Sequence, residues 1–310
     1  MSTTLTRSRA GVGEDDEAED AAGRPATARR APWPHRAATA LRRAVTGGAA
    51  LLWTALVVVP VYWLVVTSLR SGTDFTTASP LAPPGHPTLA NYRTVLDGDF
   101  ATYLLNSAVV TVATVAFTVV AALMAAFAIV RNSGSRWSRV TFRLFLLGLA
   151  IPLQAVIIPV YLLIIRMRLY DSLAAIVLPS VAFALPITVM ILVSFLRDVP
   201  RSLFEAMVVD GAGDWRMLIS LAAPLARPAL VTVAVYDGLQ VWNGFLFPLI
   251  LTQSGDKAVL PLALTLYRGQ FGIDVPATMA AVVLSTLPMF VVFVLARRQL
   301  VAGLTAGFSK

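Results

Sequence analysis

Asp237, Gln240 and Asn243 stand at successive steps of three in a stretch that is otherwise apolar, and Trp242 precedes the last of them. A carboxylate at the centre of a lipid-embedded helix costs roughly 2.5–3.5 kcal/mol on insertion scales, so it needs a polar partner or a wet cavity. Asp237 therefore reads either as part of a polar pathway or as a hydrogen bond between packed helices. A second set, Ser107, Thr111, Thr114 and Thr118, recurs at helical spacing and places four hydroxyls on one face. That stripe has two readings, a polar translocation path or close helix packing through small hydroxyl residues.

Catalytic constellations are missing. The only lysines are Lys257 and Lys310, neither followed by Ser or Thr, so no phosphate-binding loop with its Lys-Ser/Thr step is present. The histidines, His35 and His86, lie apart in proline-rich segments, and the chain has no cysteine, which leaves no metal-ligand cluster. No G-x-S-x-G nucleophile elbow occurs. ATP hydrolysis, metal chemistry and acyl transfer by this chain are not expected.

The elements that hold these polar residues are set by composition. Of 310 residues, 57% are hydrophobic and 14% charged, against about 25% charged in soluble domains. The bilayer must be the solvent for much of the chain. Six apolar stretches, 49–69, 104–130, 144–165, 173–196, 228–252 and 276–297, each match the roughly 20 residues a helix needs to cross the hydrocarbon. Asp237 is the one acidic residue within them. The expected fold is an all-α integral membrane protein with six transmembrane helices; a barrel would show short alternating segments instead. Pro152, Pro159, Pro179, Pro186, Pro248 and Pro288 should bend these helices at defined places.

Basic residues fall unevenly between the stretches. Alternate segments hold 19 Lys and Arg against 6 in the others, and such residues are retained on the cytoplasmic side. Both termini and the 197–227 loop are thus expected in the cytoplasm. The net charge of +8 reads as topology, with no nucleic-acid partner. Residues 1–48, with the acidic cluster Glu14 to Asp20 and an Arg-rich stretch from Arg24 to Arg43, are too polar to fold and form a disordered tail. Residues 49–297 form the membrane domain, and 298–310 form a second cytoplasmic tail.

The 197–227 loop carries the most informative run: Pro200, Glu205-Ala206-Met207, Asp210-Gly211-Ala212, then Pro224 to Pro228. Glu205 to Val209 favours a short helix, Gly211 supplies permissive backbone at its end, and Pro224 and Pro228 redirect the chain. The run resembles the E-A-A-x-x-D-G-A signature of membrane subunits of ATP-binding-cassette importers. Glu205, Gly211 and Pro224 match its intervals, while Met207, Leu221 and Ala223 depart from it.

The resemblance covers most of residues 45–310 and is closest to the carbohydrate-uptake subgroup, in particular the second six-span membrane subunit of maltose-type transporters. Asn91-Tyr92, Asn106-Ser107, Ala125-Ala126-Phe127-Ala128 with Arg131, and Trp242-Asn243-Gly244-Phe245-Leu246 also carry it. The tail Gly303-Leu304-Thr305-Ala306-Gly307 resembles a C-terminus that reaches into the ATPase dimer.

This resemblance implies a permease subunit in a bacterial cytoplasmic membrane that binds no cofactor itself. Two ATPase subunits would use ATP and magnesium. A second permease subunit, forming a heterodimer, and an extracytoplasmic solute-binding protein would complete the assembly, with loops 70–103 and 253–275 as its docking surfaces. The cargo would be a sugar or oligosaccharide, and the coupling loop would transmit ATPase closure to the spans. The alternative reading is a stand-alone secondary transporter or channel for a small polar solute.

Overall fold

The computed structural model describes residues 35–265, 268–269 and 272–306. The chain divides into two units, Met1–Val58 and Val59–Lys310. The first contains the N-terminal part of α1 (His35–Ser68), and the second contains the remaining described elements. Because α1 starts at His35, residues 35–48 are helical and not part of an unfolded tail. The reason is local: after Pro34 the sequence is rich in Ala, Leu and Arg, all strong helix formers. The acidic cluster lies outside the described residues.

After α1 come two short helices, α2 (Gly72–Thr77) and α3 (Ala90–Asp97), and then α4 (Phe100–Arg131). The stretch expected as a third span is broken. Its first part is α5 (Arg136–Gly148), and its second is a 3-10 turn (Leu153–Val156) leading into α6 (Ile157–Arg166), with a bend of 96° between the parts. Pro152 explains the site of the break, since a proline disfavours helical backbone in the residue before it. Helix α7 (Leu173–Arg197), by contrast, runs straight through Pro179 and Pro186 as one element.

The expected coupling loop is mostly helical: α8 (Arg201–Val209), α9 (Asp214–Met217), a π-helical turn (Leu218–Ala222) and α10 (Ala223–Leu225). Pro224 lacks an N–H and its ring crowds the carbonyl four residues back, within that π turn. The chain bends by 76° into α11 (Arg227–Trp242). The fifth stretch is also interrupted, at Asn243-Gly244-Phe245, before α12 (Leu246–Leu251). Then follow α13 (Leu260–Ala263), a two-residue antiparallel ladder of β1 (Arg268–Gly269) with β2 (Gly272–Ile273), and α14 (Val275–Ala306). Among the described residues, four helices are long and apolar enough to cross a membrane, and up to six spans result if each bent pair is one.

The centre of the second unit is the α4–α7 contact. Ala122 and Ala126 of α4, one turn apart and fully buried, meet Val189, Leu192, Val193 and Leu196 of α7. Between lipid-embedded helices, small residues allow this close approach and dispersion holds it. Phe204 of α8 joins the same cluster, with its ring centroid 6.3 Å from that of Phe127. Phe204 thereby packs α8 against the end of α4, and Met207 of the same helix packs on the same cluster.

Candidate functional site

A cavity of about 460 Å³ opens between α4, α7, α11 and α12. Ser107, Asp237 and Gln240, singled out in the sequence, all line it, together with Gln154, Ser180 and Tyr236. Its aromatic walls are Phe183, Trp242, Phe245 and Phe247. Amides and hydroxyls among aromatic faces suit a neutral polar solute, which needs stacking surface and few fixed hydrogen bonds. Asp237 is 1% exposed and accepts a 2.8 Å hydrogen bond from the Thr188 hydroxyl, tying α11 to α7.

Thr111, Thr114 and Thr118 lie elsewhere. Their hydroxyl oxygens are buried without hydrogen-bond partners. The Thr111 methyl carbon lies 3.8 Å from the place a Cβ on Gly238 would occupy, so the stripe sits in the seam where α4 packs on its neighbours. Asn243 is also outside the cavity lining; its amide donates to the Leu239 carbonyl at 2.8 Å and closes the end of α11.

The cavity's rim is tied by side chains reaching distant backbone. The Asn106 amide donates to the carbonyls of Asp256 and Ala258, each at 2.9 Å, and the Ser107 hydroxyl accepts from the Leu260 N–H at 2.8 Å. The Trp242 indole N–H donates to the Ser285 carbonyl at 3.2 Å. Nearby, the Asn91 amide donates to the Ser68 and Arg70 carbonyls at 2.8 Å each. Residues that carried the resemblance thus serve to hold loops in place.

Sequence reading missed Asp171. Its carboxylate accepts hydrogen bonds from the Ser254 hydroxyl and from the backbone N–H groups of Gln253 and Ser254, the latter two at 2.8 and 2.9 Å. Asp171 has φ of 59°. The local Asp-Ser pair before α7 looks like an ordinary helix start, and nothing in it points to a partner some eighty residues on. The Ser254 hydroxyl, then the Gln253 and Ser254 N–H groups, hold the Asp171 carboxyl at about 2, well below its ordinary 3.8.

Because the folded value lies below the unfolded one, this tie contributes fully above the unfolded value and is lost as pH falls through the folded one. The temperature of thermal unfolding of the parent should fall as pH drops from about 5 to 2. Asp171→Asn, lacking the titrating group, should unfold at a lower temperature than the parent at neutral pH and show a smaller fall over that interval. An identical pH profile in both would show that the carboxylate does not hold the loop.

The segment expected to couple is built around the end of α8. Asp210 is the capping residue, Gly211 follows with φ of 75°, and Ala212 comes next. The Ala212 N–H donates to the Met207 carbonyl at 2.9 Å and the Gly211 N–H to the Val208 carbonyl at 3.0 Å. This pair of bonds is the Schellman closure, which needs a left-handed residue at its centre. Ala212 is buried, and Met207 packs on the same cluster, supplying the apolar contact beneath that closure.

Glu205, Ala206 and Asp210 are exposed, as is Pro224, while Pro228 is half-buried. Val209 is 86% exposed and Trp215 64%. Two large apolar groups are therefore mostly uncovered in this segment. Gly303, Leu304, Thr305 and Ala306 form the end of α14, and Gly307 lies outside the described residues. Among the described residues, no group of three or more His, Cys, Asp or Glu side chains could hold a metal ion.

The family described as "Binding-protein-dependent transport system inner membrane component" matches residues 118–305, which is more than half of the chain. The chain belongs to that family. The match runs from within α4 to the end of α14, so both the segment from α8 to α10 and most of the cavity lie inside the shared region.

Relatives agree over nearly the full length. A putative ABC transporter permease protein, ORF2 of Caldicellulosiruptor sp. (strain Rt8B.4), is 35% identical over 84% of this chain and 94% of its own. The diacetylchitobiose uptake system permease protein NgcG of Streptomyces coelicolor is 32% identical over 85% of this chain and 88% of its own. The trehalose/maltose transport system permease protein MalG of Thermococcus litoralis is 31% identical over 84% and 94%. Among solved structures, a chain of a bacterial ABC transporter involved in import of the acidic polysaccharide alginate superposes with a TM-score of 0.75. It is 20% identical and covers 86% of this chain and 99% of that one, a likeness of fold.

Proposed function

We propose that this inner membrane component is one of two permease subunits of an ATP-driven sugar importer, forming half of the translocation path. The carbohydrate cargo is supported by the relatives named for diacetylchitobiose and trehalose/maltose. The aromatic and amide lining of the cavity at Gln154, Phe183, Tyr236 and Gln240 is consistent with it. A solute-binding protein delivers the sugar on one side, and two ATPase subunits, which use ATP and magnesium, act on the other. The excess of basic residues in alternate segments supports cytoplasmic termini and a cytoplasmic coupling segment. Termini on the same side require an even number of crossings, which the four to six spans that the described helices allow can satisfy.

The observation that carries the coupling role is the Schellman-closed α8. It is packed inward by Phe204 and presents Glu205 and Val209 outward, and Trp215 of the following α9 is exposed as well. A short rigid helix with exposed apolar groups gives a partner subunit a surface to grip. Motion of that partner passes through Phe204 to Phe127 and the α4–α7 pair, and so to the cavity. The end of α14 and Gly307 are assigned a further contact with the ATPase pair.

Purification of the tagged full-length chain from the membranes of its own host should bring down a nucleotide-hydrolysing subunit. In vesicles, a sugar-loaded binding protein should then stimulate hydrolysis. Solute uptake by the chain alone, without ATP, would instead establish the secondary-transporter reading.

A further inference from the structure

Three arginines from different elements converge on a second cavity, also about 460 Å³, where α4 and α7 end and α8 begins. Arg131 is the last residue of α4, Arg197 the last of α7, and Arg201 the first of α8. Below them the lining is apolar, with Phe127, Leu196 and Phe204.

The arginines are weakly neutralised. The Arg131 Nε lies 3.5 Å from an Asp214 oxygen whose side chain is 71% exposed. The Arg197 guanidinium stacks 4.9 Å from the centre of the Phe142 ring, and the Arg201 Nη2 reaches the Ser133 hydroxyl at 3.4 Å. Glu205 also lines the cavity, yet among the described residues it makes no ion pair with any of the three. Counting Asp214 and Glu205, the cluster still carries net positive charge.

Position and chemistry select the occupant. Arg131 and Arg197 end helices long and apolar enough to cross the membrane, so the cavity lies at the depth of lipid headgroups. Guanidinium forks bind phosphate oxygens in pairs, and basic pockets between membrane helices take acidic lipid headgroups. The apolar floor suits the glycerol and upper acyl carbons, which a free anion lacks.

We propose that this cavity binds the phosphate headgroup of an anionic phospholipid. Because Arg201, Phe204 and Glu205 belong to α8, the lipid braces the base of the same helix that closes at Gly211. The site itself does not depend on the sugar-importer reading, since lipid binding is measured on the chain alone.

The test uses the full-length chain in detergent micelles. Phosphatidylglycerol is titrated against phosphatidylcholine of identical acyl chains, and retained lipid is counted by native mass spectrometry. The parent should prefer phosphatidylglycerol, and Arg197→Gln and Arg201→Gln should each reduce that preference about fivefold. Both arginines are exposed, and thermal unfolding identifies any variant that fails to fold. Arg201→Lys keeps the charge without the fork and should fall between Arg201→Gln and the parent. Arg143→Gln on α5, an equal change of charge away from the cavity, should retain the parental preference. Inorganic phosphate in excess should leave the lipid in place; its displacement would reassign the site to a free anion. Equal lipid preference in the parent and in folded Arg197→Gln and Arg201→Gln, or an equal loss in Arg143→Gln, overturns the proposal.

Discussion

Gly211→Val should leave the chain in the membrane at parental abundance while removing sugar-stimulated ATP hydrolysis and uptake. At φ of 75° a side chain with a Cβ is strained, by about 1–2 kcal/mol for an ordinary residue, and β-branching adds to this. That energy is enough to shift a helix end away from its closed form by roughly five- to thirtyfold. Open space around the residue means the effect comes from backbone strain and not from a clash. The loss is therefore local: the Ala212 and Gly211 hydrogen bonds open, and Val209 at the end of α8 no longer keeps one orientation relative to Trp215 of α9.

Two companion variants sharpen the test. Gly211→Asn should retain most activity, because asparagine tolerates the left-handed region. Gly213→Val should be near neutral, since Gly213 has φ of −75° and nothing within 4 Å of a new Cβ. Membrane abundance by immunoblot, with ATPase activity in vesicles containing the binding protein and its sugar, separates coupling from folding. Parental coupling in Gly211→Val would remove α8 as the transmission element.

The second large effect is expected at Gly244, where α11 gives way to α12. A Cβ there would lie 2.9 Å from the Val241 carbonyl oxygen and 3.5 Å from that of Gln240. Both are backbone atoms and cannot swing aside, so Gly244→Val must displace the chain. Overpacking of this kind costs about 1–3 kcal/mol. The displacement moves Phe245 and Phe247 in the cavity wall, and with them the end of α12, where the Leu251 carbonyl accepts from the Asp171 N–H at 2.9 Å. Lower membrane abundance and a lower Tm should result. Gly255→Val, with nothing within 4 Å of the added Cβ, should behave as the parent. Equal stability of the two variants would show that the close approach at Gly244 is not a constraint.

How far the sequence could be read follows from the range of each interaction. Hydropathy alone located α1, α4, α7 and α14, since a continuous apolar run has few other homes. The left-handed glycine after α8 was legible too, because helix closure depends on residues within one turn. Hydropathy could not locate the 96° break between α5 and α6, as the stretch stays apolar through it. Proline was an uneven guide: Pro152 sits at a break while Pro179 and Pro186 are absorbed within α7. The hydroxyl stripe illustrates the same limit. Spacing put Ser107, Thr111, Thr114 and Thr118 on one face, but which neighbour covers that face is a tertiary matter, and only Ser107 reaches the cavity. Asp171 was invisible because its bonds join loops far apart in sequence, and hydrophilic loop residues have no periodicity to betray a partner.

The two ends of the helical bundle are fastened by unlike bonds. Around the cavity rim the ties are amide, hydroxyl or carboxylate bonds to backbone at 2.8 to 2.9 Å, as at Asn106, Ser107 and Asp171. At the α8 end the long-range fastening includes the exposed Arg131–Asp214 pair at 3.5 Å and a cation stacked on Phe142. Dissolved salt screens exposed charge pairs, and at 1 M its screening length is about 3 Å. Ionic strength consequently acts on the two ends unequally. It weakens the exposed ion pair at the α8 end and acts less on the ties at Asn106 and Ser107, which join uncharged side chains to backbone.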